Sequence, residues 1–378
     1  MSEHDVVIVG AGPAGVAAAV ALKDRRLRPL LVDREGQVAS TWRARYDRLR
    51  LNTCRPYSHL PGRRFPKGTP MFASRGQLVE HLDRHAHEDG IDLMLGTHVE
   101  RIERSNGGWL LRTDGEDLHA LQVVVATGYE SEPVVPGWPG RERFGGQLFH
   151  SREYRNPEPF RDRLVLVVGP GCSGMEIAYD LVEGGARKVW LSARTPPNIV
   201  LRSGPAGLTG DMVAVVMLHL PARLADAFAR FGRKRDLGDL TEFGLPVPDE
   251  GVMSRLHRTG QAPAIVDKEV IESIKAGRIE VVKGVESLDE SGVQLTGGSR
   301  VEPEAMICAT GYSRVLAPLV GHLDVLDEHG MPRSLAEKAP APGLRFVGYV
   351  PRPGGLGYMG KEARRAAREI AAELAAAA

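Results

Sequence analysis

The sequence predicts an α/β fold built from two Rossmann-like dinucleotide-binding domains. It carries two Gly-x-Gly-x-x-Gly turns, Gly10-Ala-Gly12-Pro13-Ala14-Gly15 and Gly169-Pro-Gly171-Cys172-Ser173-Gly174. Each follows a short apolar run and precedes a helical one, the order a phosphate-binding βαβ unit requires. At 378 residues the chain exceeds one small domain and suffices for two cores. Two such sites in one chain suggest electron transfer between two bound dinucleotides.

In the first unit, Val6 to Val9 reads as a buried parallel strand and Val16 to Leu22 as the alanine-rich helix behind it. Gly10 permits the tight turn, Gly12 lets the backbone approach a pyrophosphate, and Gly15 lets helix and strand pack closely. N–H groups at the helix start meet the phosphate charge. After a second strand, Leu30-Leu31-Val32, comes Asp33, placed to accept from ribose hydroxyls about twenty residues past the turn. This arrangement suits FAD.

The second unit runs through the strand Leu164 to Val168, the Gly169 turn, the helix Met175 to Val182 and the strand Val189-Trp190-Leu191. No carboxylate ends that last strand. The chain reads Ser192-Ala-Arg194-Thr195 instead, and an arginine with hydroxyl donors welcomes a ribose 2′-phosphate that an acid would repel. The second site therefore suits NADPH. Cys172 sits in the turn, where small size is selected, and reads as packing.

Other features narrow the class. Formal net charge is +1, so no global field draws the chain to nucleic acid or anionic lipid, and neither partner is expected. Three cysteines, Cys54, Cys172 and Cys308, form no CxxC pair and no disulfide framework, which fits a reducing cytoplasm. The acidic start Ser2-Glu3-His4-Asp5 lacks the basic region of a secretory signal, and the longest apolar run elsewhere, Val213 to Leu218, is too short to span a bilayer. The run Arg25-Arg26-Leu-Arg28 ends a helix against its dipole. His81 and His85 share a helix face, with His87 nearby, and with no carboxylate or thiol pattern of a metal site around them they read as a solvated face; no metal is expected. Lys361 to Ala378 reads as an amphipathic surface helix. Oligomeric state is left open, a homodimer among the options.

Between the two turns lies Phe144-Gly-Gly146-Gln-Leu-Phe-His150-Ser-Arg-Glu-Tyr154, which resembles the Phe-x-Gly-x-x-x-His-x-x-x-(Tyr/Phe) fingerprint of flavin-containing monooxygenases. Ala126-Thr127-Gly128-Tyr129 and Ala309-Thr310-Gly311-Tyr312 look like that family's two crossovers between cofactor domains. Gly343-Leu-Arg-Phe-Val-Gly348 and Gly354-Gly-Leu356-Gly357 look like the segment closing over the flavin. Trp42 to Leu51, His59-Leu-Pro61, Tyr129, Gly238 to Gly251 and Ile274 to Ile279 resemble the YUCCA-type branch and its bacterial relatives. Leu51-Asn52-Thr53-Cys54 departs from that branch's Leu-His-Leu-Pro and looks more like general flavin-containing monooxygenases, which counts against a plant-like indole-3-pyruvate substrate. The fingerprint lacks the Trp of Baeyer–Villiger enzymes.

The resemblance implies an NADPH domain (146–300, with a helical segment over the substrate side) inserted into a discontinuous FAD domain (1–145 and 301–378). Expected contacts with FAD are Gly10, Gly12, Pro13, Ala14, Gly15, Asp33, Arg34, Thr41, Trp42, Val99, Ala126, Thr127, Gly128 and Leu356. Those with NADPH are Gly169, Gly171, Cys172, Ser173, Gly174, Ser192, Arg194 and Thr195, with Ala309, Thr310 and Gly311 at the second crossover. Asn52 is the expected catalytic residue, its amide facing flavin and nicotinamide; the alternative is a turn asparagine bonding its own backbone. His150 and Tyr154 are expected in a glycine-bearing linker, 133–160, free to move between the domains. The implied activity is insertion of one atom of O2 into a small organic substrate through a C4a-(hydro)peroxyflavin, by N- or S-oxygenation or by oxidative decarboxylation of a 2-oxo acid. An NADPH oxidase, or a disulfide reductase needing a cysteine pair, is the alternative.

Overall fold

The strand β1 (Glu3–Val9) is fully apolar from Val6 to Val9 because it lies in the parallel part of a mixed sheet, between two parallel neighbours and covered on both faces. The computed structural model describes residues 3–128, 132–204, 207–260, 262–313, 316–335, 339–350 and 355–377; Ser2, Tyr129, Gly354 and Ala378, named above, lie outside them. From β1 the chain passes through α1 (Pro13–Lys23) to β2 (Pro29–Asp33), then α2 (Ser40–Arg43), α3 (Arg75–Glu88) and β3 (Asp92–Leu95). The antiparallel strands β4 (Val99–Ser105) and β5 (Gly108–Thr113) lead to β6 (Leu118–Val125). The order is β3-β2-β1-β6-β5-β4. Ser74 opens α3 with a capping box, its hydroxyl accepting from Gln77 N–H while the Gln77 side chain accepts from Ser74 N–H.

The connecting strand β7 (Glu132–Pro133) precedes a second parallel sheet. Its elements are β8 (Gln147–His150), β9 (Leu164–Val168), α4 (Cys172–Glu183) and β10 (Lys188–Ser192). Next come β11 (Ile199–Leu201), the helices α5 (Gly210–Met217), α6 (Ala222–Leu237) and α7 (Val252–Thr259), β12 (Ala264–Val266), α8 (Lys268–Lys275) and β13 (Ile279–Val282). A small antiparallel sheet, β14 (Val285–Leu288), β15 (Val293–Leu295) and β16 (Arg300–Val301), leads to β17 (Ala305–Cys308). The second sheet runs β13-β10-β9-β17-β8. The boundary expected at 300 therefore falls inside this unit: β17, buried at all four residues, fills the slot between β9 and β8.

The chain returns through β18 (Tyr312–Ser313), which pairs with β7 so that the two connections between units run side by side. Then follow α9 (Ala317–Val320), β19 (Leu344–Phe346), which joins β6 in the first sheet, and α10 (Gly355–Ala377). The last helix starts earlier than the sequence suggested. It buries Ala363, Ala366, Ala367 and Ile370 in the same core as the alanines of α1, whose small side chains allow close approach. Buried Arg345 on β19 ties it down, bonded to Glu373 and to Gln122 Oε1 at 3.0 Å.

Three local expectations change. His81 is buried, not solvated, stacked on Phe65 at 4.2 Å, and burial drops its pKa to about 4. The arginine run follows the end of α1 in a turn, with Arg26 left-handed at φ 65°. In the 133–160 segment, glycine serves close approach and not freedom: a Cβ on Gly145 would stand 2.7 Å from the Glu290 carbonyl oxygen, and one on Gly146 2.8 Å from that of Glu304.

Candidate active site

The two glycine turns have the same geometry. Gly10 and Gly169 adopt φ of 108° and 109°, where only glycine is unstrained. A Cβ on Gly10 would lie 2.6 Å from the Ala126 carbonyl oxygen, and one on Gly169 would overlap that of Ala309, so each Ala-Thr-Gly segment packs against the first glycine of its turn. A Cβ on Gly15 or Gly174 would strike the carbonyl of Gly10 or Gly169, while Gly12 and Gly171 face open space. Gly12 and Gly171 cap α1 and α4 without a side-chain acceptor, leaving N–H groups for an anion. Both turns thus fit a dinucleotide pyrophosphate.

Around the first turn, Asp33 accepts from Ala11 N–H at 2.6 Å and Glu35 N–H at 2.9 Å. Burial raises its pKa against the pull of those two donors, and each oxygen keeps a lone pair for a ribose hydroxyl. Arg34 turns to Glu35 at 3.5 Å. Ala39, left-handed at φ 59°, donates its N–H to Ala11 O at 2.9 Å and so sets α2 against the turn; Thr41 is exposed there and Trp42 packs on the core. Thr97 N–H donates to Asp33 O at 2.9 Å, bringing buried Val99 to the same edge. Thr127 bonds Tyr349 through their hydroxyls at 2.9 Å. Gly348 lies close enough that a Cβ would stand 2.7 Å from the Ala14 Cβ, so the start of α10, with Leu356, Pro13 and Ala14 share one edge of the first unit.

At the second turn the expected phosphate ligands differ in exposure. Ser192 is buried and donates its hydroxyl to Lys283 O at 2.9 Å, so it has no proton left for a phosphate. Arg194 and Thr195 beyond it are exposed. Arg194 lies against Gly284, whose added Cβ would be 3.1 Å from its own, and with Lys283 it lines a cavity of about 1060 Å³ along β13. Neither cation makes an ion pair among the described residues. Lys283 was not expected; no motif marks it, and only the β10–β13 pairing brings it beside Arg194. The Cys172 sulfur accepts from Ile265 N–H at 3.2 Å, and Ser173 follows in the first turn of α4. Thr310 donates its hydroxyl to Val134 O, fixing the second crossover.

Asn52 lies between the units, on the loop after Leu51, whose N–H donates to Ala73 O at 2.9 Å. Two residues of the second unit clamp this loop. Arg202 Nη2 donates to Asn52 Oδ1 at 3.1 Å, and Asp211 accepts from Cys54 N–H at 2.8 Å and from the Thr209 hydroxyl at 2.6 Å. With its oxygen held, the Asn52 amide presents its N–H donors elsewhere. Arg202 is buried and ion-paired with Glu176 and Asp267, and these carboxylates keep it charged. The register of β11 on β12, with Arg202 N–H donating to Val266 O at 2.8 Å, sets Arg202 beside Asp267. Tyr46 donates its hydroxyl to Glu176 at 2.9 Å, and burial holds that phenol well above its ordinary pKa.

Glu176 and Asp180 escaped sequence reading, although a signal existed: two carboxylates four apart inside the apolar run of α4. Both are buried, and each takes a tyrosine hydroxyl, Tyr154 reaching Asp180 at 2.8 Å. Arg202 and Asp211 had no comparable signal. His150 is buried, accepts from Arg152 N–H at Nδ1 (3.1 Å) and therefore donates from Nε2 to Gly311 O (3.0 Å). Burial lowers its pKa, and the two hydrogen bonds make it a tie between β8 and the second crossover.

The thiols show no sign of redox work. Burial pushes Cys54 to about 11 and Cys308 to about 12 and raises Cys172, so none is a thiolate at neutral pH. Among the described residues no group of His, Cys, Asp or Glu could hold a metal, and no helix is long and apolar enough to cross a membrane.

A second cavity, about 1070 Å³, lies where the ends of α5 and α7 meet the first unit. Leu218, Leu256, Met331 and Val350 give it apolar walls, and His219, His257, Arg258 and His329 give it basic ones, with Asp327 as its acid.

A family model described as pyridine nucleotide-disulphide oxidoreductase matches residues 7–199. The chain is 36% identical to an indole-3-pyruvate monooxygenase, YUCCA1, of Oryza sativa subsp. japonica, over 96% of this chain and 90% of that protein. It is 31% identical to a probable indole-3-pyruvate monooxygenase, YUCCA1, of Arabidopsis thaliana, over 97% and 89%. A solved flavin-containing monooxygenase from Stenotrophomonas maltophilia shares the fold, with a TM-score of 0.74 at 20% identity, covering 99% of this chain and all of that one.

Proposed function

Because the chain belongs to the YUCCA-type flavin-containing monooxygenases and so is an FAD- and NADPH-dependent oxygenase, we propose that it oxidatively decarboxylates a 2-oxo acid with an apolar or aromatic side chain. The observation that carries this reading is the likeness, along nearly the whole chain, to proteins named as indole-3-pyruvate monooxygenases. The second cavity has matching chemistry: imidazoles of His219 and His257 for a carboxylate, beside an Arg258 already held by Glu250, and aliphatic walls for the body of the molecule. Since Leu51 to Cys54 departs from the plant pattern, the proposal extends to the class of acid and not to one indole compound.

Bound FAD, reduced by NADPH, supplies the activation of O2. One oxygen atom enters the product carboxyl group, the other leaves as water, and the original carboxylate leaves as CO2. In this reading the Gly10 and Gly169 turns hold the two pyrophosphates against the starts of α1 and α4. Asp33 accepts from a ribose hydroxyl, and Arg194 with Lys283 holds the 2′-phosphate. Asn52, its oxygen fixed by Arg202, offers amide donors and brings no acidic proton of its own. The buried clamp around it excludes water from that side.

The test follows NADPH consumption with indole-3-pyruvate and phenylpyruvate against a panel of amines and sulfides, with the acid product and peroxide measured together. The proposal expects the 2-oxo acids to accelerate NADPH use and yield the one-carbon-shorter acid. Stimulation by sulfides or amines alone would refute the substrate class. Peroxide equal to NADPH with every compound would make the protein an oxidase.

A further inference from the structure

Helices α5 and α6 present an apolar face to solvent. Of eleven exposed large hydrophobic side chains among the described residues, eight fall between Leu208 and Val247. On α6, Leu224, Phe228 and Phe231 are 54%, 59% and 67% exposed. At 3.6 residues per turn they share an arc of about 60°. The side of α6 that packs inward, through Ala225, Asp226, Arg233 and Leu237, is the other one. Val213 and Val216 of α5 and Leu220 beyond it extend the stripe. Solvent-facing aromatic residues in this number are not needed for packing, so the face calls for a partner.

The charge beside the stripe identifies that partner's chemistry. Arg223, Arg230 and Lys234 are exposed along one flank, and none makes an ion pair among the described residues. The acids of α6 do not neutralise them. Asp226 is buried and accepts from Met253 N–H at 2.7 Å and from the Ser254 hydroxyl, while Asp236 pairs with Arg235 at 2.7 Å. A second copy docked through a two-fold axis would set these uncompensated cations against themselves. An anionic surface with an apolar interior satisfies both stripe and flank.

We propose that the α5–α6 face seats the enzyme peripherally on an anionic phospholipid surface, Phe228 and Phe231 entering the acyl boundary and Arg223, Arg230 and Lys234 meeting headgroup phosphates. This is a helix lying in the interface, not one crossing the bilayer, and it revises the expectation of no membrane partner drawn from net charge, since the local charge differs from the global. The seat also adjoins the site. Asp211, in the first turn of α5, holds Cys54 of the Asn52 loop, and Leu218 and His219 at the end of α5 line the second cavity.

The test is flotation of the FAD-loaded full chain with phosphatidylcholine vesicles, with and without phosphatidylglycerol. Binding is expected only with phosphatidylglycerol, weakening as salt rises. The Phe228→Ser/Phe231→Ser pair should reduce it about tenfold or more, and Arg230→Gln/Lys234→Gln severalfold, with thermal midpoints unchanged because all four side chains are exposed. Absence of binding to phosphatidylglycerol vesicles, or full binding by the Phe pair, overturns the proposal. So does a dimer in light scattering that the Phe pair dissolves while vesicles are ignored, which would give the face to a second copy.

Discussion

Replacing Arg202 by Met removes the cation that joins Glu176, Asp267 and the Asn52 amide while keeping a side chain of similar reach. Glu176 is then a buried carboxylate whose one remaining hydrogen-bond partner among the described residues is the Tyr46 hydroxyl. Breaking a buried pair by removing one member costs about 3–5 kcal/mol, a large part of the ~5–15 kcal/mol that holds a protein folded. Asp267 is partly exposed and adds little, because water takes over its solvation. Adding Glu176→Gln removes the stranded charge, so the double variant should lose only about 1–3 kcal/mol, the toll of lost hydrogen bonds and packing. Urea unfolding of the apoprotein measures both, and amide exchange across residues 51–54 reports the loop directly. Exchange there should quicken in the double variant, and the loaded enzyme should release more peroxide per NADPH while flavin reduction keeps its rate. Two results would refute the reasoning: a single-variant cost below about 1 kcal/mol, or unchanged exchange with unchanged peroxide yield.

Three further outcomes follow from the geometry. Arg194→Ala and Lys283→Ala should each raise the KM for NADPH about tenfold and leave that for NADH nearly constant; equal effects on the two cofactors would remove both residues from the 2′-phosphate site. Gly12→Ala should fold with an unchanged apoprotein midpoint and lose FAD affinity, because its Cβ enters only the space a pyrophosphate would fill, whereas Gly15→Ala should fail to fold properly because its Cβ meets the Gly10 carbonyl; titrating FAD into both, beside thermal melts, checks the pair. His81, with a folded pKa near 4 against an ordinary 6.5, binds its proton more readily unfolded, so its contribution is full above about pH 6.5 and fades as pH falls toward 4. Melts at pH 7.5 and 5 should therefore show His81→Phe, which keeps the stack on Phe65, losing less stability on acidification than the parent; parallel losses would assign the acid sensitivity elsewhere.

Both glycine turns were legible because their requirements are local. A positive φ at Gly10 and Gly169 and a close carbonyl approach at Gly15 and Gly174 leave one residue type at fixed spacing. The strands beside them were legible for a related reason, since central parallel strands are apolar throughout. The hydroxyl bond of Ser192 was not legible, because its acceptor, the Lys283 carbonyl, lies about ninety residues away across the β10–β13 pair. His81 misled because the face of α3 it occupies is set by Phe65, which no helical periodicity in 75–88 can report.

The least legible part of the site is the clamp on Asn52, and its layout couples cofactor geometry to chemistry. The loop belongs to the first unit, whereas Arg202, Asp211, Glu176 and Asp267 all come from the second. Tyr46 reaches across in the opposite direction to Glu176, so the contact is reciprocal. Any rotation of one unit against the other must therefore strain charge-assisted bonds that are buried, where their loss is most costly. The paired connections β7 and β18, with His150 tied to Gly311, restrict that rotation as well. Asn52 can hold one orientation only while the units hold theirs. On the reading proposed for Asn52, its amide donors are fixed in place only while the two units that carry the dinucleotide turns keep their present arrangement.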